Sequence, residues 1–132
     1  MDCINELKKY ELKITPQRLE IVDILYKYGH INIDELYTKL QTKFPSLSLA
    51  TIYKNLKLMS QKGFVSEVKI LNHKSVYELT KEEHSHIVCT NCNDIVDIEL
   101  DISPLILQAQ NSTNFQIQHS SIVFDGICKK CS

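Results

Sequence analysis

The chain has 132 residues, with 15 Lys and Arg against 16 Asp and Glu and a net charge of -1. A chain of this length forms one domain or two small ones, and small domains are marginal without a metal or a partner subunit, so a bound metal or dimerisation is expected. No apolar run approaches the about 20 residues of a membrane span, and Met1-Asp2-Cys3-Ile4-Asn5-Glu6 lacks the basic and apolar regions of a signal peptide, which argues against a membrane partner and predicts a cytoplasmic protein.

The charge is segregated. Through Thr80 there are 12 basic against 9 acidic residues, and residues 81–132 carry 3 against 7. A mildly basic first half and an acidic second half suit a polyanion-binding module joined to a cation-binding one.

The first sixty residues read as helices. Asp2 caps a segment carrying Ile4, Leu7 and Leu12, and Thr15-Pro16 supplies an N-cap followed by proline at the first helical position. That second helix carries Ile21, Val22, Ile24, Leu25 and Tyr28 and stops at Gly29. Asn32-x-x-Glu35 is a capping box for a third helix with Ile33, Leu36, Tyr37 and Leu40 inward, ending before Pro45. Ser48 caps a fourth, which Gly63 ends. Its Leu49, Ile52, Leu56 and Met59 share one stripe, and Ala50, Tyr53, Lys54 and Lys57 lie opposite. Such a face suits a DNA major groove, with methyl contact, a base-edge hydrogen bond and phosphate neutralisation; an ordinary solvated face is the alternative.

After Gly63 the period becomes two. Phe64–Leu71, a turn at Asn72-His73-Lys74, and Ser75–Leu79 predict a hairpin, so helices plus hairpin make a winged helix-turn-helix over residues 1–80. Lys81-Glu82-Glu83 reads as a hinge. In residues 81–132 strands are expected at His84–Cys89 and Asp94–Leu100, a helix capped by Ser103-Pro104 running to about Asn111, and a longer strand at Phe115–Phe124. The fold class is α+β, the second part being a small α/β unit.

Cys89-x-x-Cys92 and Cys128-x-x-Cys131 are separated by 35 residues. A two-residue spacer lets both thiolates of a pair reach one ion, and two pairs supply the four soft ligands that Zn²⁺ takes tetrahedrally at about 2.3 Å. In a reducing compartment this is a structural zinc site rather than two disulfides, and Cys3 is left over as an incidental thiol. His84 and His86 alternate across Ser85, so on a strand both imidazoles face one side about 7 Å apart at Cα and can share a second metal. Asp97, an acid among Ile95, Val96 and Ile98, is expected partly buried and in need of a partner.

Taken together, Leu12-Lys13-Ile14-Thr15-Pro16-Gln17-Arg18, Ser48-Leu49-Ala50-Thr51-Ile52-Tyr53-Lys54-Asn55-Leu56, His84-x-His86-x-x-Cys89-x-x-Cys92 and Cys128-x-x-Cys131 resemble the ferric uptake regulator family. The resemblance implies a homodimeric, metal-dependent repressor with an N-terminal winged helix on operator DNA and a C-terminal dimerisation domain. It puts structural zinc on Cys89, Cys92, Cys128 and Cys131, and regulatory Fe²⁺ or Mn²⁺ on His30, Glu78, His84, His86 and Asp97. Spacing alone nominates neither His30 nor Glu78. A metal held by both halves would latch them so that a dimer's two helices meet major grooves about 34–36 Å apart.

On DNA the resemblance implies Lys13, Arg18, Ala50, Thr51, Tyr53, Lys54 and Lys57, with Tyr53 at a base, Lys13 in the minor groove, and Lys54 where relatives often carry arginine. Asp97 matches the peroxide-sensing branch and Glu78 matches iron-sensing members. Asp97 decides for peroxide, because within the family this ligand is tied to the reactivity of iron. The resemblance then implies that H₂O₂ reacting with bound Fe²⁺ converts His30 or His84 to an oxo-imidazole and ends repression. His119 matches a ligand of a third site, but Ser85 replaces that site's aspartate, so no competent third site is expected. Iron or zinc sensing is the alternative within the family. A non-haem metalloenzyme and a zinc-stabilised interaction module are the alternatives outside it, neither of which accounts for the first half.

Overall fold

The computed structural model describes residues 2–81 and 84–132. Glu82 and Glu83 of the expected hinge lie outside the described residues. The chain divides into two compact units, Met1–Thr80 and Lys81–Ser132.

The first unit is built from capped helices. In α1 (Cys3–Lys9) the Asp2 carboxylate accepts from the Asn5 N–H, and in α2 (Pro16–Tyr28) the Thr15 hydroxyl accepts from the Arg18 N–H. In α3 (Ile33–Lys43) Asn32 Oδ1 accepts from the Glu35 N–H at 2.9 Å while its Nδ2 donates to the Glu35 carboxylate at 3.3 Å, closing the capping box. Ser48 accepts from the Thr51 N–H at the start of α4 (Leu49–Gln61). Gly29 and Gly63 follow α2 and α4 with φ of +75° and +79°, a region costly for residues bearing a Cβ.

The helices bury Leu7, Ile21, Leu25, Leu36, Leu40, Ile52, Leu56 and Met59 in one core cluster that Phe64, Val65 and Tyr77 close from the sheet side. Leu49, expected in the buried stripe of α4, is 37 % exposed, because the first turn of the helix projects past this core. The sheet has three strands in the order β1-β3-β2, from β1 (Ile31–Asn32), β2 (Val65–Val68) and β3 (Val76–Leu79). The β2–β3 hairpin agrees with expectation. The two-residue β1 is too short for any periodicity to show, and it pairs antiparallel with β3 through Ile31↔Tyr77 and Asn32↔Val76.

The second unit is a sheet of order β5-β4-β6 with one helix. Strands β4 (Ser85–Cys89) and β5 (Ile95–Ile98) are antiparallel, and β6 (Val123–Gly126) runs parallel to β4. Two expectations are corrected. The long strand expected at Phe115–Phe124 is observed at Val123–Gly126: the parallel register places Val123 opposite His86, and among the described residues β4 begins at Ser85. Ser103 is the first residue of α5 (Ser103–Thr113) rather than its cap; its N–H donates to the Asp101 carboxylate at 3.1 Å. No residue of α5 is buried. Among the described residues no helix is long and apolar enough to cross a membrane.

Candidate metal centres and nucleic-acid interface

Cys89 ends β4, Cys92 follows in the turn toward β5, and Cys128 and Cys131 lie just beyond β6, so the parallel β4–β6 pairing brings both Cys-x-x-Cys turns to one end of the sheet. The four sulfurs lie within 4.8 Å of one another, and Cys92 Sγ is 3.8 Å from Cys128 Sγ. A tetrahedral ion with bonds of about 2.3 Å requires sulfurs about 3.8 Å apart. The donor set therefore fits Zn²⁺ in both chemistry and spacing.

Backbone dipoles already favour thiolate. The N–H groups of Cys92 and Cys128 donate to Cys89 Sγ at 3.5 and 3.4 Å, and these two bonds lower its thiol to about 6. For Cys92 the backbone N–H of Asp94 pulls down, but the side chain of Cys89, burial, Cys128 and Cys131 together outweigh it and raise the thiol to about 12. Four sulfurs this close cannot all ionise without a cation among them.

A second donor group in the same unit grows from the β4–β5 ladder. His86 stands opposite Asp97 in register, with His86 Nε2 3.4 Å from Asp97 Oδ1, and His84, two residues back on the same face, has its Nε2 3.6 Å from the same oxygen. The two imidazoles meet edge to face with centroids 4.5 Å apart. His86 is buried, whereas the Asp97 side chain is 34 % exposed. The Asp97 side chain is thus partly buried and has partners, as expected: β5 is an edge strand that leaves part of the side chain in solvent, and the Lys81 ammonium holds the other carboxylate oxygen at 2.8 Å.

A third group lies in the first unit. Continuing the β1–β3 register by one residue sets His30 opposite Glu78, and His30 Nε2 is 2.8 Å from Glu78 Oε2, with Glu78 only 2 % exposed. A fully buried carboxylate against an imidazole is costly unless a proton or a cation is shared between them. The missed β1 is what joins these two residues. Both groups offer imidazole nitrogen and carboxylate oxygen without sulfur, a set suited to Fe²⁺ or Mn²⁺. His119 is exposed and belongs to neither.

On α4, Ala50, Thr51, Tyr53, Lys54 and Lys57 are exposed, Tyr53 by 45 %. The Thr51 hydroxyl is 2.9 Å from the Ser48 hydroxyl, within the cap. Lys13 is exposed in the loop before α2, and Arg18 on α2 is half-buried, its guanidinium directed to protein acceptors.

Residues 9–125 match the model of the ferric uptake regulator family. The chain belongs to the ferric uptake regulator family. It is 36 % identical over 132 residues to the peroxide-responsive repressor PerR of Staphylococcus epidermidis, covering 98 % of this chain and 88 % of that one. The crystal structure of the Campylobacter jejuni peroxide stress regulator superposes with a TM-score of 0.75 at 40 % identity, over 99 % of this chain and 100 % of that one. The Vibrio cholerae ferric uptake regulator gives 0.76 at 31 % identity, over 96 % and 100 %. Membership of this family of regulators is thus established from both sequence and fold.

Proposed function

We propose that this family member is a metal-dependent repressor that binds operator DNA as a homodimer in the cytoplasm, and that hydrogen peroxide is the signal that releases it. The observation that carries this reading is the coexistence of two kinds of donor set, four thiolates and a sulfur-free His/carboxylate collection, with an exposed Tyr53-Lys54 helix face in a chain similar to named peroxide regulators. Cys89, Cys92, Cys128 and Cys131 hold structural Zn²⁺. His30, Glu78, His84, His86 and Asp97 hold the regulatory Fe²⁺ or Mn²⁺, and Lys13, Ala50, Thr51, Tyr53, Lys54 and Lys57 face the duplex.

The donor count supports sharing of one regulatory ion. Neither His30 with Glu78 nor His84 and His86 with Asp97 fills the five or six positions such ions take, whereas together they do. An ion taking ligands from both units favours the conformation in which it is bound, and binding energy becomes conformational selection. Bound Fe²⁺ would open the O–O bond of peroxide and return to its starting oxidation state, so that overall H₂O₂ would take two electrons from the imidazole of His30 or His84, leave one oxygen atom on the ring and depart as one water; the oxidised ring would be a poorer ligand. Glu78 favours a second reading, an iron sensor without peroxide chemistry.

The test is retention, by protein loaded with Fe²⁺ or with Mn²⁺, of a duplex enriched from a random pool by the Mn²⁺-loaded protein, before and after one equivalent of H₂O₂, with intact mass read on the same samples. Loss of retention with a one-oxygen mass gain in the Fe²⁺ form alone is expected. Unchanged retention and mass in both forms would leave a sensor of metal availability.

A further inference from the structure

Arg18 does not project freely from α2. Its Nε donates to Asn55 Oδ1 at 2.9 Å and its Nη1 donates to the backbone carbonyl of Lys13 at 2.8 Å. Asn55 in turn donates through Nδ2 to the Thr51 carbonyl at 3.0 Å, and Thr51 is bound by its N–H and hydroxyl to the Ser48 cap. An unbroken set of hydrogen bonds thus runs from the loop carrying Lys13, through one guanidinium, to the first turns of α4. Asn55 lies about 200° round the helix from Tyr53, so a bond that fixes Asn55 inward sets Tyr53 outward. Both Arg18 and Asn55 are half-buried, and the two bonds use the planar fork that a lysine lacks.

We propose that Arg18 is a positioning residue rather than a phosphate contact: it ties the Lys13 loop to α4 so that Lys13 and Tyr53 meet the minor and major grooves in one fixed register. This rests on the DNA-binding reading above and deepens it, because specificity then depends on a residue that touches no base. Two contacts held rigidly by a common brace are energetically coupled, whereas independent phosphate contacts add.

The experiment compares Mn²⁺-loaded wild type, Arg18→Lys, Lys13→Ala and the double variant on the enriched duplex and on a scrambled duplex of equal length. The expected result is a loss of about tenfold for Arg18→Lys on the enriched duplex, a change within about twofold on the scrambled one, and a smaller cost of Lys13→Ala in the Arg18→Lys background than alone. Asn55→Ala removes the same brace from its other end and is expected to reproduce the selective loss, which keeps the test decisive if Arg18→Lys folds poorly. Full retention by Arg18→Lys would overturn the proposal, since charge alone would then suffice. Equal losses on both duplexes would also overturn it in favour of a purely structural role. Failure of Mn²⁺-loaded wild type to enrich any duplex from the random pool would instead remove the DNA-binding reading itself.

Discussion

Tyr53 is the side chain on which DNA reading and protein stability separate most cleanly, because its ring is 45 % exposed on α4 and lies outside the core cluster. Tyr53→Phe is expected to lower affinity for the enriched duplex by about fivefold, the worth of one hydrogen bond of about 1 kcal/mol, while leaving the thermal midpoint unchanged. Titration calorimetry and a melting curve on the same sample check both halves of that expectation. At this scale the sequence was readable wherever one element carried the whole pattern. His84, just before β4, and His86, within it, alternate across Ser85, and the Cys-x-x-Cys turns need no partner to be recognised. His30 and Glu78 were not readable from spacing, because the contact between them depends on the two-residue β1, and they entered only through the family resemblance.

Elements were legible in proportion to their local chemistry. Asp2, Thr15, Asn32 and Ser48 each cap the helix that their side chains announce, since an N-cap acts within three residues. Strand β6 was misread because its extent is set by where β4 begins, a fact held nowhere in residues 115–124. Ser48→Ala is expected to destabilise the fold by about 1 kcal/mol in denaturant titration, and to loosen Thr51 at the start of the DNA face. The hairpin supplies a pH-dependent test. Burial, the Glu67 carboxylate opposite it in register, and Tyr53 push the Tyr77 phenol up to about 12 from its ordinary value of 10.0. The folded state therefore favours the neutral phenol. Its contribution is complete below pH 10 and is lost as pH rises through 12, where the unfolded chain has already released the proton. The stability of wild type should fall more steeply than that of Tyr77→Phe across this window, as read by denaturation midpoints; parallel curves would refute the assignment.

The two units differ in what stabilises them. The core cluster runs from Leu7 to Tyr77, entirely within the first, whereas the buried apolar side chains described in the second are Val88, Cys89 and Ile102. A unit of about fifty residues with so small a core depends on a metal or a partner. Cys128→Ser should accordingly strip zinc and abolish amide-exchange protection in β4, β5 and β6 while α2, α3 and α4 remain protected. The partner is implicated by the sheet face. Cross-strand register aligns Val96, Ile87 and Phe124 in one row over three strands, and in a single chain they are 51 %, 38 % and 48 % exposed. A row of exposed apolar side chains running across three strands marks an interface. Ile87 is central in the row, so Ile87→Glu places a charge where a second copy would desolvate it. The variant should sediment as a monomer, keep one zinc per chain, and lose roughly 100-fold or more in affinity for a two-half-site duplex, because the second half-site contact no longer benefits from linkage to the first. A dimer that survived the substitution would place the interface elsewhere, and a monomer that bound undiminished would show that one winged helix suffices.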